Sequence, residues 1–263
     1  MRGAAINLVL KGYKPGEGGL QGEIRGEYKQ QKEVGGNGGV TLAYTSPKVD
    51  LDFMYNLQSS YTRGYIDFLA HHTMKEQVYD VNQVTDNQGR SLAHTLRAGG
   101  TYKFDADNSL ELSYTTQFSP NSQHHSHSSG SISESFNDSR THHQMHNAAL
   151  NYTSGFGFRA GADYTYFTST DTQDFFDRSP EEVETRFISR SDQHIDRWKI
   201  YADQSHSLPH DWTLNYGTSF SYVHNRNIQD YDLPEMQDNN LYNRIREYTY
   251  NVYSTSRSTP NGR

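Results

Sequence analysis

The 263-residue sequence contains no cysteine, which excludes disulfide scaffolds and thiolate metal sites. It also has no long apolar run: the longest span three residues, as at Leu8 to Leu10, so no transmembrane helix is encoded. Hydrophobic residues are only 33% of the chain and mean hydropathy is −0.93, which is poor material for a soluble core of this size. A basic excess is missing too. The net charge is −7, which argues against nucleic acid as a partner. No secretory leader is visible, because Met1-Arg2-Gly3-Ala4-Ala5 runs directly into strand-like Ile6 to Leu10 without a basic region leading a long apolar stretch. A phosphate-binding loop is absent as well. Gly35-Gly36-Asn37-Gly38-Gly39 lacks the following Lys-Ser/Thr and is expected to form a hairpin turn.

Aromatic residues, by contrast, make up 13% of the chain, including 20 Tyr, whereas a disordered chain would be short of them. The arrangement of these residues is informative. In Phe156 to Tyr166 the apolar residues Phe156, Phe158, Ala160, Ala162, Tyr164 and Tyr166 alternate with Gly157, Arg159, Gly161, Asp163 and Thr165, a period of two that puts the two sets on opposite faces of a strand. Asp50 to Tyr61, Leu110 to Phe118 and Trp212 to Tyr222 repeat the pattern. Weaker copies occur at Leu20 to Tyr28, Val40 to Tyr44, Leu96 to Phe104, His146 to Tyr152, Trp198 to Gln204 and Arg246 to Tyr253, giving about ten candidate strands. Strands of roughly ten residues with an apolar, aromatic-ended face and a polar face suit an outer-membrane barrel. The expected fold is all-β: an antiparallel up-and-down transmembrane β-barrel, partial, with about ten strands. A closed barrel also reconciles low hydrophobicity with abundant tyrosine, because its interior is polar and its aromatics form girdles.

Connections alternate in length. Ser46-Pro47-Lys48, Asp105 to Asn108, Ser154-Gly155 and His206 to Asp211 are tight and rich in turn formers. Arg63 to Arg90, Pro120 to Thr141, Thr170 to Asp192 and Arg226 to Arg244 are long and polar. Short turns at one end and long loops at the other are the asymmetry of outer-membrane barrels.

The segment Arg2-Gly3-Ala4-Ala5-Ile6-Asn7-Leu8-Val9-Leu10-Lys11 resembles the end of the plug domain of TonB-dependent receptors, where a Gly-rich turn precedes an Ile-Asn-x-x-x-Lys strand. Leu208-Pro209-His210-Asp211-Trp212-Thr213-Leu214-Asn215-Tyr216-Gly217 is similar to the outer-membrane β-barrel family found beside such plugs in Bacteroides-type bacteria. The resemblance implies the end of a plug at 1–13, a linker at 14–19 and a partial barrel at 20–263. A full receptor of this family has about 22 strands, so the chain is expected to be an internal piece of one. The implied function is nutrient uptake in the cell outer membrane, with outer-membrane lipid and an extracellular solute as partners. TonB would be contacted only through N-terminal parts beyond this segment. Two rivals are a complete barrel of roughly eight to ten strands acting as pore or adhesin, and a secreted β protein binding carbohydrate through its tyrosines.

Candidate chemistry is sparse, and no catalytic, cofactor-binding or metal site is assigned. His124, His125, His127, His142, His143 and His146 cluster around one polar connection. Imidazoles ligate zinc, copper or nickel, but interleaved Ser126, Ser128, Ser129 and Ser131 also describe a solvated low-complexity loop. Glu181-Glu182 and Asp171 to Asp177 supply carboxylates without an apolar pocket to shift them. Phe175-Phe176 is either a substrate platform or a cover for the loop base. The better functional surface is a lumen-facing set: Glu23, Arg25, Glu27, Arg97, Lys103, Glu111, Arg159, Asp163, Lys199 and Asp203. These are expected chiefly to pair with one another and with water, leaving the remainder to contact solute.

Overall fold

The computed structural model describes residues 4–9, 18–30, 32–74, 77–209 and 212–258. They form one eleven-stranded antiparallel sheet whose spatial order is the chain order, β1 to β11. The strands are β1 (Ala4–Val9), β2 (Gly19–Gln30), β3 (Val34–Thr45), β4 (Val49–Met74), β5 (Gln77–Lys103), β6 (Ser109–Gly130), β7 (Glu134–Thr153), β8 (Phe158–Arg178), β9 (Glu184–Leu208), β10 (Trp212–Tyr231) and β11 (Leu241–Ser258). This is the expected up-and-down architecture. The sheet is not closed, since β1 and β11 do not pair.

Ladder partners share a face of the sheet, so the register tests the alternation. Leu112 pairs with Leu150, Leu150 with Ala162, Ala162 with Ile200, Ile200 with Phe220 and Phe220 with Tyr250. One row further on stand Tyr164, Trp198, Tyr222 and Tyr248. The apolar sides of separate strands therefore merge into a continuous surface carrying Phe158, Tyr164, Leu112, Leu214 and Phe220. Arg159, Asp163 and Asn215 lie on the other side, as expected.

This apolar surface has no partner layer. Tyr61, at 9% exposed, is the one buried apolar side chain among the described residues, while Leu112 is 59% and Val252 85% exposed. A soluble sandwich would bury such a face against a second sheet. Aromatics border the band on both sides. Toward the short turns lie Tyr102, Phe104, Tyr152 and Phe158, with ring centroids 5.1–6.5 Å apart. Toward the long hairpins lie Tyr164 against Trp198 at 4.3 Å and Tyr222 against Tyr248 at 5.0 Å. On β10 the band from Trp212 to Tyr222 runs roughly 33 Å along the strand, or about 25 Å in height at a tilt near 40°. That matches the hydrocarbon-facing belt of outer-membrane barrels.

The strands are also staggered. The row that begins at Leu20, beside the start of β2, reaches β11 at Tyr250, well inside a strand that ends at Ser258. Such progressive shear is what closing a barrel requires.

Three expectations need correction. The connections 63–90, 120–141, 170–192 and 226–244 are not loops for most of their length. They are continuations of the strands, leaving tips such as Ser131 to Ser133 and Ser179 to Val183. Beyond the apolar band the two faces no longer differ in polarity, so the period-two signal fades although the ladder continues. Cross-strand pairs such as Arg63–Asp86 and Arg186–Asp174 sustain it there. All these hairpins do leave from one end, with the turns after Thr45, Lys103, Thr153 and Leu208 at the other. Second, Gly35 to Gly39 is not a turn but the first part of β3. A side chain on Gly36 would collide with the carbonyl oxygen of Glu27, so the glycines serve close backbone approach. Third, the free edge expected near Leu20 is partly covered, because β1 pairs with β2 from Ala4↔Tyr28 to Val9↔Glu23. Residues 10–17, which include the last part of the expected plug segment 1–13 and most of the expected linker 14–19, lie outside the described residues.

Candidate functional site

The face opposite the apolar band carries all the charged residues singled out as lumen-facing, on alternate positions of β2, β5, β6, β8 and β9. Most have partners. Arg97 Nε donates to Asp52 at 3.0 Å, Lys103 meets Asp50 at 2.6 Å, and Arg25 meets Glu23 at 3.2 Å. Glu27 accepts from Asn37 at 2.7 Å and lies 3.3 Å from Lys29. Asp163 accepts from Asn147 at 2.8 Å, and Asp203 from Tyr253 at 2.6 Å. Three of the ionic partners, Asp50, Asp52 and Lys29, are outside the lumen-facing set. The signal for the first two was their even-numbered place in Asp50 to Tyr61, opposite Leu51 and Phe53.

Glycines on this face make room for neighbouring side chains. A Cβ on Gly161 would stand 2.5 Å from a ring carbon of Tyr201 and 2.6 Å from Asn151 Oδ1, and those two residues hydrogen-bond at 2.9 Å. Gly99 leaves space for Asp52, and Gly217 for Asp203. The Gly/charge alternation visible in Phe156 to Tyr166 is thus a packing device between adjacent strands.

Glu111 and Arg159 have no hydrogen-bonded or ionic partner among the described residues, and Lys199 stands 5.9 Å over the Tyr201 ring. These three are the free charges of the set and are available to water or solute.

The histidines disperse. A register shift between Ser119 and Ser122, where Ser119 is 1% exposed and donates to the Leu92 carbonyl at 2.7 Å, exchanges the faces of β6. His125 and His127 consequently point to the side of the apolar band, with His142 and His146, while His124 and His143 point to the other. Each of four takes its own partner. His125 pairs with Asp138, His127 stacks on Phe136 at 4.2 Å, His142 reaches the Pro120 carbonyl at 3.2 Å, and His146 reaches Tyr114 at 2.7 Å. Among the described residues no three His, Asp or Glu side chains are placed to share an ion.

The carboxylates of the long hairpins serve the ladder. Asp171 accepts from Thr141 at 2.6 Å, and Asp174 holds Arg186 at 3.0 Å. Glu182 sits in the β8–β9 tip with φ 65°. Phe175 packs on Phe187 at 5.0 Å and Phe176 lies 6.0 Å from Phe136, on opposite faces of β8. Asp86 takes both donors of Arg63, at 3.1 and 2.7 Å. That fork holds its carboxyl below the ordinary value of 3.8. A cleft of about 550 Å³ between the hairpins is lined by Tyr61, Arg90, His125, Asp138 and Arg140, whose register places them on the outward side.

No family model matches the sequence, and no curated protein matches it. Among solved structures, the fold is similar to the ferric yersiniabactin uptake receptor FyuA from Yersinia pestis, with a TM-score of 0.54 and 13% identity over 96% of this chain and 41% of that one. The ferric citrate transporter FecA, in its unliganded form, aligns with a TM-score of 0.46 and 6% identity over 98% of this chain and 42% of that one. At such identity the likeness is one of fold, and this chain spans about two-fifths of the receptor's length.

Proposed function

We propose that this chain is part of the barrel wall of a TonB-dependent outer-membrane receptor for nutrient uptake. The observation that carries the reading is the two-faced single sheet: a continuous apolar face about as tall as a bilayer, with no core behind it, backed by a charged and hydroxyl-rich face. In a bilayer every backbone group must be satisfied within the barrel, and an eleven-stranded ladder does so everywhere except at its two edges. Those edges, the stagger and the shared length with an uptake receptor support a wall segment over a complete small pore. The absence of a buried layer among the described residues argues against a secreted carbohydrate-binding domain.

In this reading the long hairpins face the exterior and make first contact with solute. Glu111, Arg159 and Lys199 line the lumen, where they meet the plug, water or solute. Energy delivered from TonB through the plug would open the path, and that step lies in parts of the receptor beyond this segment.

The missing cysteines make a direct test possible. Single substitutions Ser131→Cys and Ser179→Cys at hairpin tips, and Ala106→Cys at a short turn, are made in the protein expressed in the outer membrane. A membrane-impermeant maleimide applied to whole cells should label the first two at once and the third only after permeabilisation. Equal labelling of all three, or recovery of the protein in the soluble fraction, overturns the proposal.

A further inference from the structure

We infer that the outward face of β9, β10 and β11 carries a binding site for the phosphate of an anionic lipid headgroup, an inference that rests on the membrane reading above. One row of this face carries an aromatic on all three strands: Trp198, Tyr222 and Tyr248. One ladder step toward the hairpins the same face becomes Asp196, His224 and Arg246, and one more step gives His194, Arg226 and Arg244. With Tyr242, most of these residues line a depression of about 210 Å³.

The charges there do not cancel. Asp196 is the depression's one carboxylate, and both its oxygens are engaged, by Tyr164 at 2.9 Å and His194 at 2.6 Å. Arg244 Nε donates to His224 Nε2 at 3.0 Å, which makes that nitrogen an acceptor and leaves the terminal guanidinium nitrogens of Arg244 available. Arg226 and Arg246 have no hydrogen-bonded or ionic partner among the described residues. Two guanidinium groups, those of Arg226 and Arg244, thus line the depression beside a single engaged carboxylate, with Arg246 one ladder step away on the same face, and their forked donors match phosphate oxygens.

Position selects the source of the phosphate. A site for a free solute would be expected on the lumen face, yet these side chains stand on the lipid side, immediately beyond the interfacial aromatics. Headgroups lie at that depth, and basic recesses there recognise anionic ones.

Trp198 adjoins the site, and the chain's only other tryptophan is Trp212. A Trp212→Phe background therefore makes Trp198 the sole reporter. The full chain is refolded into phosphatidylcholine vesicles doped with equal amounts of either brominated phosphatidic acid or brominated phosphatidylcholine, and quenching is measured. Phosphatidic acid should quench with an apparent affinity roughly tenfold higher. Arg244→Gln/Arg246→Gln should abolish that preference, and Arg244→Lys/Arg246→Lys should retain part of it, which separates lost charge from lost folding. Arg257→Gln, on the same strand but the other face, should leave it intact. Equal quenching by both lipids, or a preference that survives the double glutamine variant, overturns the site while leaving the membrane reading in place. No quenching by either lipid overturns both. Loss of the preference at inorganic phosphate concentrations below those at which phosphatidic acid itself acts identifies a free-anion site and overturns the assignment to lipid.

Discussion

The sharpest consequence of the two-faced sheet is an asymmetry between neighbouring positions. Ala162 lies midway along the apolar band of β8, between Phe158 and Tyr166, with Leu150 and Ile200 as ladder partners. Ala162→Arg would place a guanidinium near the bilayer midplane, which costs about 2–4 kcal/mol in outer-membrane barrels. The folded-to-unfolded ratio should fall by about thirty-fold to nearly a thousand-fold. Ser113 faces the opposite way, with Gly99 and Ala149 as partners, so Ser113→Arg would extend into the polar side, where the Asp52 carboxylate lies over Gly99. Its effect should stay within about 0.5 kcal/mol. Urea titration of the chain folded in lipid vesicles, followed by tryptophan fluorescence and gel mobility, measures both. A soluble sheet would tolerate both arginines, because half-exposed surface changes there rarely exceed about 0.5 kcal/mol. An unchanged midpoint for Ala162→Arg would refute the outward assignment of the whole face, since the register ties Ala162 to Leu112, Leu150, Ile200 and Phe220.

Other outcomes follow from the same geometry. β11 is an edge strand with Tyr250 at 74% and Val252 at 85% exposure, so the chain should aggregate in buffer without detergent. Val252→Lys should slow the rise in light scattering several-fold, because edge lysines oppose strand addition. Gly161→Leu should destabilise by roughly 1–3 kcal/mol through collision with Tyr201 and Asn151, whereas Gly38→Ala meets nothing within 4 Å and should be near neutral in the same urea titration. The Arg63 fork depresses the Asp86 carboxyl below 3.8, so its stabilisation is full above that value and is lost as pH falls through the lowered one. Carbon-13 titration of Asp86 should show a midpoint below 3.8 in the wild type, and Arg63→Ala should raise it toward 3.8. A midpoint that ignores the substitution would exclude the fork as the cause.

The strand pattern was legible wherever one face of the sheet is apolar and the other polar. Phe158 to Tyr166, Asp50 to Tyr61, Leu110 to Phe118 and Trp212 to Tyr222 could be assigned to faces from period two alone, whereas Phe156 and Gly157, expected on the same strand, fall in the turn before β8, where Gly157 has φ 87°. The free charges of the polar face, Glu111, Arg159 and Lys199, were legible in the same alternation. Beyond the band that difference ends, and the alternation no longer distinguishes a hairpin from a loop. Only the ladder, with Arg63 opposite Gln88 and Asp174 opposite Ile188, shows that 63–90 and 170–192 are strands. Composition likewise misread Gly35 to Gly39, since glycine marks both a turn and a close backbone approach, and the neighbouring carbonyl of Glu27 decides between them. The histidines follow the same logic. Their count left a metal site open, but they alternate along β6 and β7 and so divide between the two faces, and the register shift at Ser119 to Ser122 decides which of them share a face. The placing of Arg226, Arg244 and Arg246 on one face is decided in the same way, by pairing between β10 and β11 across 18 and 22 positions of chain, where Arg226 opposes Arg244 and His224 opposes Arg246. Local alternation determines which side a residue faces; register, a long-range property of the sheet, determines what it meets there.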